Sequence, residues 1–302
     1  MSTTLPVVAA VDGSEDSLRA LDWAADTARR RGAPLRVAHV RHHFAWTRPD
    51  ALDASVVVPP PPRDDPVLAA ARARLGERSR GTEYVSLDGA PGALLPQLGT
   101  EARLLVLGSR GRGGFASLVL GSNGLTAARD AECPVVVVPR PGREVDDPLP
   151  AEPGRRVVVG LKVDGPDDAA LDLAFTEAAL RDARLQVVAA YPWPVQSWAA
   201  PEDLALPVYD QDALEHETRI LADGFLAPHR ERHPGVPVDS LPVPGDAAGL
   251  LVAASQGAEL VVVGRHRRRL LAPARMLGSV THAVLLHAAG PVAVVPPAPA
   301  EE

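Results

Sequence analysis

Short apolar runs recur along the chain, and each precedes a segment with helical spacing. Residues 7–11 form the first run, and residues 157–161 form its counterpart in the second half. Runs of this length are typical of strands in a parallel sheet buried on both faces. Behind the two runs, apolar positions fall on one face of a predicted helix: Leu18, Leu21, Ala25 and Ala28 in the first half, and Leu171, Ala174, Phe175 and Ala178 in the second. Ser14 is placed to cap the first of these helices.

The matching continues along both halves. The remaining apolar runs pair as 35–40 with 185–190, 104–108 with 260–264, and 134–139 with 291–296. The offset is about 150 to 157 residues, which indicates an internal repeat. We predict further helices over roughly 66–80, 91–101, 209–229 and 246–257, and strands near 82–88 and 236–243. Alternation of this kind predicts two tandem α/β doubly wound domains, each an open five-stranded, mostly parallel sheet with helices on both faces.

The domain boundary is predicted from a change in composition. Residues 141–154 contain four prolines and five charged side chains among few apolar ones, which is typical of a linker. We therefore expect domains over 1–140 and 155–302. Four consecutive prolines at 59–62 predict an extended surface loop, with a proline-rich ligand for a partner as the alternative.

Composition excludes several classes of protein. The hydrophobic fraction is 46% without a long uninterrupted apolar run, so we expect no membrane span and no membrane partner. The N-terminus lacks the features of a secretory signal, so we expect a cytoplasmic chain. A net charge of −7 argues against a nucleic-acid partner. Cys133 is the one cysteine and is expected to be a buried, inert thiol.

A glycine-rich loop follows the fourth predicted strand of the first half. Gly108, Gly111, Gly121 and Ser122 lie between the end of that strand and the start of the next helix. Ligands of such sheets bind beyond the carboxyl ends of the strands, and a helix N-terminus offers free amides to phosphate. Glycine leaves backbone amides accessible to an anion, although tight turns also use glycine for purely conformational reasons.

The spacing Gly108-x2-Gly111-x9-Gly121-Ser122 resembles the signature of the universal stress protein family, in its ATP-binding branch. The segments 11–14 and 133–138 strengthen the resemblance, which with the second copy covers nearly the whole chain. It implies an adenine nucleotide alpha hydrolase-like fold and bound ATP, with Mg²⁺ as a candidate companion ion. The implied nucleotide-binding residues are Asp12, Gly13, Ser14, Val40, Gly108, Arg110, Gly111, Gly121, Ser122 and Asn123.

Within this set, the resemblance assigns Asp12 and the backbone around Val40 to the adenosine, and the glycine loop with Ser122 to the phosphates. Relatives often carry valine and serine where this chain has Asn123 and Gly124, which implies one phosphate hydroxyl fewer. From the residues alone, Asp12 is also a candidate turn residue with Gly13, or a helix-capping group beside Ser14. The ligand role is favoured because the strand end and the glycine loop must converge at one sheet edge.

The second copy has lost this pattern. Lys162 stands where Asp12 does, Arg267 occupies the second glycine position, and the Gly278-Ser279 pair comes one residue late. We therefore predict a degenerate nucleotide site. Lys162 with the cluster Arg265–Arg269 is a candidate site for another anion, but a solvated basic loop is the preferred interpretation.

Enzyme chemistry has little support in the sequence. His39, His42 and His43 lack carboxylate or cysteine ligands at metal spacing, and the chain has no G-x-S-x-G, Walker lysine or H-E-x-x-H element. The leading hypothesis is a nucleotide-binding regulator of the stress response. The alternatives are a slow ATPase or nucleotidyl-transfer enzyme, and a scaffold that binds a protein but no nucleotide.

The partners expected are an adenine nucleotide and an unidentified protein. Dimers in the resembled family pair through the last strand of the domain. The strands predicted at 135–138 and 292–295 are therefore expected to pair the two domains within the chain, with a homodimer as a further possibility.

Overall fold

Strands and helices alternate in each half of the chain, as the apolar pattern predicts. The computed structural model describes residues 4–41, 65–111, 120–191, 210–265 and 277–298. The chain divides into two compact units, Met1–Val138 and Pro139–Glu302. Among the described helices, none combines the length and apolar content needed to cross a membrane.

The first unit contains a five-stranded sheet. Neighbouring strands are parallel, and their order is β3-β2-β1-β4-β5. Single 3₁₀ turns, Gly76–Ser79 and Gly99–Glu101, follow the second and third helices. The elements are β1 (Val7–Ala10), α1 (Glu15–Arg31), β2 (Leu35–Arg41), α2 (Pro66–Leu75), β3 (Glu83–Asp88), α3 (Pro91–Leu98), β4 (Leu104–Gly108), α4 (Ser122–Asp130) and β5 (Val135–Val138).

The second unit repeats this arrangement with the parallel order β8-β7-β6-β9-β10. Its elements are β6 (Arg156–Gly160), α5 (Asp168–Arg181), β7 (Arg184–Tyr191), α6 (Gln211–Arg232), β8 (Val238–Pro244), α7 (Ala247–Ala254), β9 (Leu260–Gly264), α8 (Ser279–His287) and β10 (Val292–Val295). The predicted fold class is therefore confirmed.

Helices cover both faces of each sheet. In the first unit α1 packs against α2, and α3 packs against α4. Right-handed crossovers place these two pairs on opposite faces, because the chain moves outward from β1 to β3 and then returns across β1 to β4 and β5. The central strands are consequently fully buried, as Val8 and Val106 show.

Helix α1 begins as predicted, but its buried face is turned by about one residue. Ser14 is the N-cap, and its hydroxyl accepts a hydrogen bond from Ser17 N at 3.2 Å. Leu21 and Ala28 are buried as expected. Leu18 and Ala25 are only half-buried; the buried positions at the start of the helix are Asp16 and Ser17 instead. In α5, by contrast, all four predicted positions are buried.

The segment predicted as a linker is attached to the second unit. One guanidinium nitrogen of Arg143 donates to the carbonyl oxygens of Leu286 and Ala288, each at 3.1 Å, at the C-terminal end of α8. Leu149 N donates to the carbonyl of Ala253 at 3.3 Å, near the end of α7. These bonds hold the segment against the α7 and α8 side of the unit. The proline run at 59–62 lies outside the described residues.

Candidate functional site

The strand order of the first unit reverses between β1 and β4. These strands are paired in register, with Val7 opposite Leu104 and Ala9 opposite Val106. The chain leaves β1 toward β2 and leaves β4 toward β5, so the two following loops diverge and open a crevice at the carboxyl ends. Both predicted ligand segments, 12–14 after β1 and 108–111 after β4, start at this crevice.

The segment after β1 is a tight turn. Asp12 Oδ1 accepts hydrogen bonds from Ser14 N at 3.0 Å and from Ser14 Oγ at 2.6 Å. Gly13 has a φ of 81°, a left-handed value that favours glycine. The Ser14 hydroxyl also lies 3.3 Å from the carbonyl oxygen of Arg110. The turn role considered for Asp12 is confirmed, and the loops after β1 and β4 meet at Ser14.

The three glycines of the loop have different environments. A Cβ on Gly108 would lie 2.6 Å from the carbonyl carbon of Asp16 and 2.8 Å from Ser17 N. Gly108 therefore allows β4 to pack against the start of α1, a packing role that the sequence did not indicate. A Cβ on Gly111 would lie 2.5 Å from Asp12 Oδ2, whereas the nearest atom to one on Gly121 is 3.9 Å away. Of the three, Gly121 is the least crowded by the residues that the structure describes.

The N-terminus of α4 is held beside the end of β4. Gly121 is the N-cap, and its backbone N donates to the carbonyl of Ser109 at 2.9 Å. Ser109 is itself buried, and its N donates to the carbonyl of Val138 at 3.0 Å. Ser122 and Asn123, in the first turn, are exposed, and among the described residues no side chain caps this helix end. An uncapped helix N-terminus at the crevice is suited to an anion, because its amides point outward and carry partial positive charge.

Other predicted residues lie at the edges of this arrangement. Val40 is on β2, two residues beyond the last position paired with β1, and it is buried. The side-chain oxygen of Asn123 lies 3.5 Å from the position that a Cβ on Gly92 would take, at the start of α3. Gly124 packs on Leu120, which leaves limited room for the serine found in relatives. Residues 112–119 of the loop lie outside the described residues.

A polar cluster beside Val40 was not predicted. Asp65 caps α2: its Oδ1 accepts from Val67 N at 2.9 Å and Leu68 N at 3.3 Å. Its Oδ2 accepts from His39 Nδ1 and from Ser86 Oγ, each at 2.7 Å. Burial raises the pKa of Asp65, but the hydrogen bonds from His39 and Ser86 outweigh it and bring the pKa to about 2. Only the Asp-Pro cap before α2 was readable in the sequence.

The second unit keeps Gly264 at the end of β9 and Gly278 as the N-cap of α8, but it departs from this site after β6 and at the start of α5. Lys162 follows β6 as Asp12 follows β1, and its Nζ lies 3.2 Å from Asp164 in an exposed ion pair. Helix α5 starts later than α1, with Asp167 as its N-cap and Asp167 packed closely on Gly264. Thr281 Oγ1 donates to the carbonyl of Gly264 at 2.8 Å.

The basic loop of the second unit differs from our expectation in its first residue. Arg265 is 8% exposed, so it is not part of a solvated loop, and its backbone N donates to the carbonyl of Val295 at 2.8 Å. Arg265 replaces the buried Ser109 at the end of the equivalent strand. Residues 266–269, including Arg267, lie outside the described residues.

The other candidates from the sequence are the three histidines near the end of β2 and Cys133. His39 bonds to Asp65 on the sheet, while His42 and His43 lie outside the described residues. The described residues contain no group of three or more histidine, cysteine or carboxylate side chains arranged for a metal ion. Cys133 is buried, as predicted, beside Gly99.

Comparison with known proteins identifies the family. The universal stress protein family model matches the chain twice, over residues 4–139 and 154–296. The chain belongs to the universal stress protein family. A universal stress protein from Mycobacterium tuberculosis is 33% identical over 294 residues, which cover 95% of this chain and 96% of the relative. A second universal stress protein from the same organism is 30% identical over 318 residues, which cover 97% of this chain and 95% of that relative.

Solved structures share the tandem fold over the same length. A universal stress protein from Archaeoglobus fulgidus has a TM-score of 0.66 at 16% identity, covering 98% of this chain and 99% of that one. A functionally unknown protein from Pseudomonas aeruginosa has a TM-score of 0.61 at 16% identity, and the match covers 97% of this chain and 93% of that one. At this identity the likeness shows the fold, and the tandem universal stress protein architecture is established.

Proposed function

We propose that this universal stress protein binds ATP in its first unit and acts as a nucleotide-binding regulator of the stress response. One observation carries the proposal: Asp12, Gly111 and the open N-terminus of α4 at Gly121 converge at the β1/β4 crevice. Open parallel sheets bind their ligands at such a reversal of strand order.

The chemistry of the crevice suits the two ends of ATP. Asp12 and the backbone around Val40 provide polar groups for the adenosine at the ends of β1 and β2. The amides at the start of α4 and the exposed hydroxyl of Ser122 provide donors for the phosphates. A Mg²⁺ ion would be carried with the phosphates, since this ion usually keeps several waters and binds through substrate phosphates and one or two carboxylates.

The second unit is proposed to bind ATP poorly or not at all. Lys162 replaces an acceptor with a cation, which is paired with Asp164. The end of β9 is crowded by Asp167 on Gly264 and by the Thr281 hydrogen bond to the same residue. The sequence also places Arg267 where the first unit has Gly111, so a long side chain replaces bare backbone in the loop after β9.

Mass spectrometry of the purified protein after denaturation tests this function. ATP should be released at a substoichiometric to equimolar level, and product analysis should show little ADP formed during incubation. Rapid ADP production would favour the ATPase alternative. Absence of adenine nucleotide, together with no ATP binding by the nucleotide-free protein, would favour a protein-binding scaffold and contradict the proposal.

A further inference from the structure

Asp65 joins three elements at the adenosine side of the proposed site. Its four hydrogen bonds tie the first turn of α2 to His39 on β2 and to Ser86 on β3. His39 and Ser86 lie directly opposite each other in the parallel register of the two strands. Asp65 therefore fixes the start of α2 against two neighbouring strands at one level of the sheet.

The position of this cluster relates it to the nucleotide site. Val40, whose backbone we assign to the adenosine, is the residue after His39 and pairs with Leu87, the residue after Ser86. The side chains of Asp65 and His39 are 7% and 15% exposed, so water competes poorly for their hydrogen bonds. The partners of Asp65 are therefore the immediate chain neighbours of Val40 on β2 and of Leu87 on β3.

The second unit provides an internal comparison. Asp210 caps α6 as Asp65 caps α2, accepting from Ala213 N at 3.1 Å, but it is exposed. The strand positions equivalent to His39 and Ser86 are Ala189 and Pro242, which are paired in register and have no polar side-chain atoms. The unit with the degenerate site has thus kept the helix cap and lost the link to the strands.

We propose that Asp65, held by His39 and Ser86, is a positioning residue that fixes the end of β2 for recognition of the adenosine portion of the nucleotide. The proposal rests on ATP binding by the first unit. It concerns the adenosine and not the phosphates, because the phosphate donors lie on α4 and the Asp65 cluster lies on β2, β3 and α2.

The test uses the full chain with ATP and inorganic tripolyphosphate as separate probes in calorimetry. His39→Ala introduces the residue found at the equivalent position of the second unit, Ala189, and removes one hydrogen-bond donor to Asp65. Ser86→Ala removes the other side-chain donor with a smaller change in side-chain volume. Each should weaken ATP binding about tenfold and leave tripolyphosphate affinity within about twofold. His39→Asn keeps a donor near the Nδ1 position and should restore most of the ATP affinity. Asp210→Asn, the matched cap variant in the second unit, should leave both affinities unchanged.

Hydrogen exchange verifies that the intended contact is broken. In His39→Ala the amides of Val67 and Leu68 should exchange faster while those of α4 keep their protection. Unchanged ATP affinity in both alanine variants would overturn the positioning role. Equal losses for ATP and tripolyphosphate would also overturn it, since they indicate a general structural effect. If the wild-type protein bound tripolyphosphate but not ATP, or neither, the proposed function itself would fail.

Discussion

A Cβ placed on Gly111 would lie 2.5 Å from Oδ2 of Asp12, so the glycine loop after β4 closes directly onto the carboxylate after β1. The other carboxylate oxygen of Asp12 is bonded to Ser14. The position of Asp12 therefore depends on the lack of a side chain at Gly111.

The substitution Gly111→Ala should displace the Asp12 carboxylate and weaken ATP binding about tenfold or more, equivalent to about 1.4 kcal/mol. Global stability should change little, because Gly111 is exposed and the contact is to a side chain that can move.

Gly108→Ala provides the contrast. Its methyl group meets the backbone of α1, so it should destabilise the first unit by about 1–3 kcal/mol. Calorimetric titration and urea unfolding of both variants measure the two effects; a Gly111→Ala protein with wild-type affinity would show that Asp12 does not contact the nucleotide.

The low pKa of Asp65 predicts a pH-dependent contribution to stability. Its pKa lies near 2 in the folded protein against an ordinary value of 3.8, so its stabilisation is present above about pH 4 and is lost as the pH falls through about 2. The amount is about 2 kcal/mol. Urea unfolding of the wild type and of Asp65→Asn between pH 2 and pH 6 should show a stability difference that shrinks by this amount toward low pH. A difference that stays constant across the range would contradict the hydrogen-bonded, ionised state of Asp65.

His229 predicts a second pH effect, in the second unit. Its imidazole is 3% exposed and stacks on Phe175 with ring centroids 5.4 Å apart. Burial lowers the pKa of His229 from 6.5; Arg232 lowers it further, and Asp172 and Asp168 oppose the shift. The unfolded chain therefore binds the proton more tightly, and the stability of this unit should fall as the pH drops below about 6.5.

The matched variant for this effect is His229→Gln, which cannot titrate. Between pH 8 and pH 5 the wild type should lose stability in urea unfolding more steeply than His229→Gln. Parallel pH profiles for the two proteins would show that the packing of His229 on Phe175 is unaffected by its protonation.

Most of the fold was predictable because its determinants are local or repeated. The apolar strands and the Ser14 cap can be predicted from neighbouring residues, and the repeat can be predicted from the offset of about 150 residues. The structure confirms all three. The packing role of Gly108 could not be predicted, because its constraint comes from the backbone of α1, more than ninety residues away in sequence. The same packing buries Asp16 and Ser17 and turns the buried face of α1.

The polar cluster was missed for a related reason. His39 and Ser86 become partners of Asp65 only through the register of β2 with β3, which the separate strand patterns do not specify. Arg265 was assigned to an exposed loop because runs of charge usually lie in solvent. Its place at the end of a buried central strand overrides that tendency.

A carboxylate placed at the proposed phosphate position should show which of the two units binds ATP. Gly121→Asp introduces an anion at the start of α4, where the nearest described atom lies 3.9 Å from the added Cβ. Repulsion in a partly desolvated site should weaken ATP binding by several kcal/mol, and each 1.4 kcal/mol is about tenfold in affinity. The fold should survive, since an acidic group interacts favourably with the helix N-terminus.

The matched variant Gly278→Asp, at the N-cap of α8, should leave ATP affinity within about threefold. Equal losses from the two substitutions would remove the basis for assigning the site to the first unit.

The most direct measurement is the calorimetric stoichiometry of ATP binding to the nucleotide-free full-length protein. One intact crevice at β1/β4 and one altered crevice at β6/β9 predict about one ATP per chain. The same titration of Gly121→Asp should show this binding removed or greatly weakened. Two equivalents of similar affinity, or no binding by the wild type, would contradict the claim that the first unit alone carries the nucleotide site.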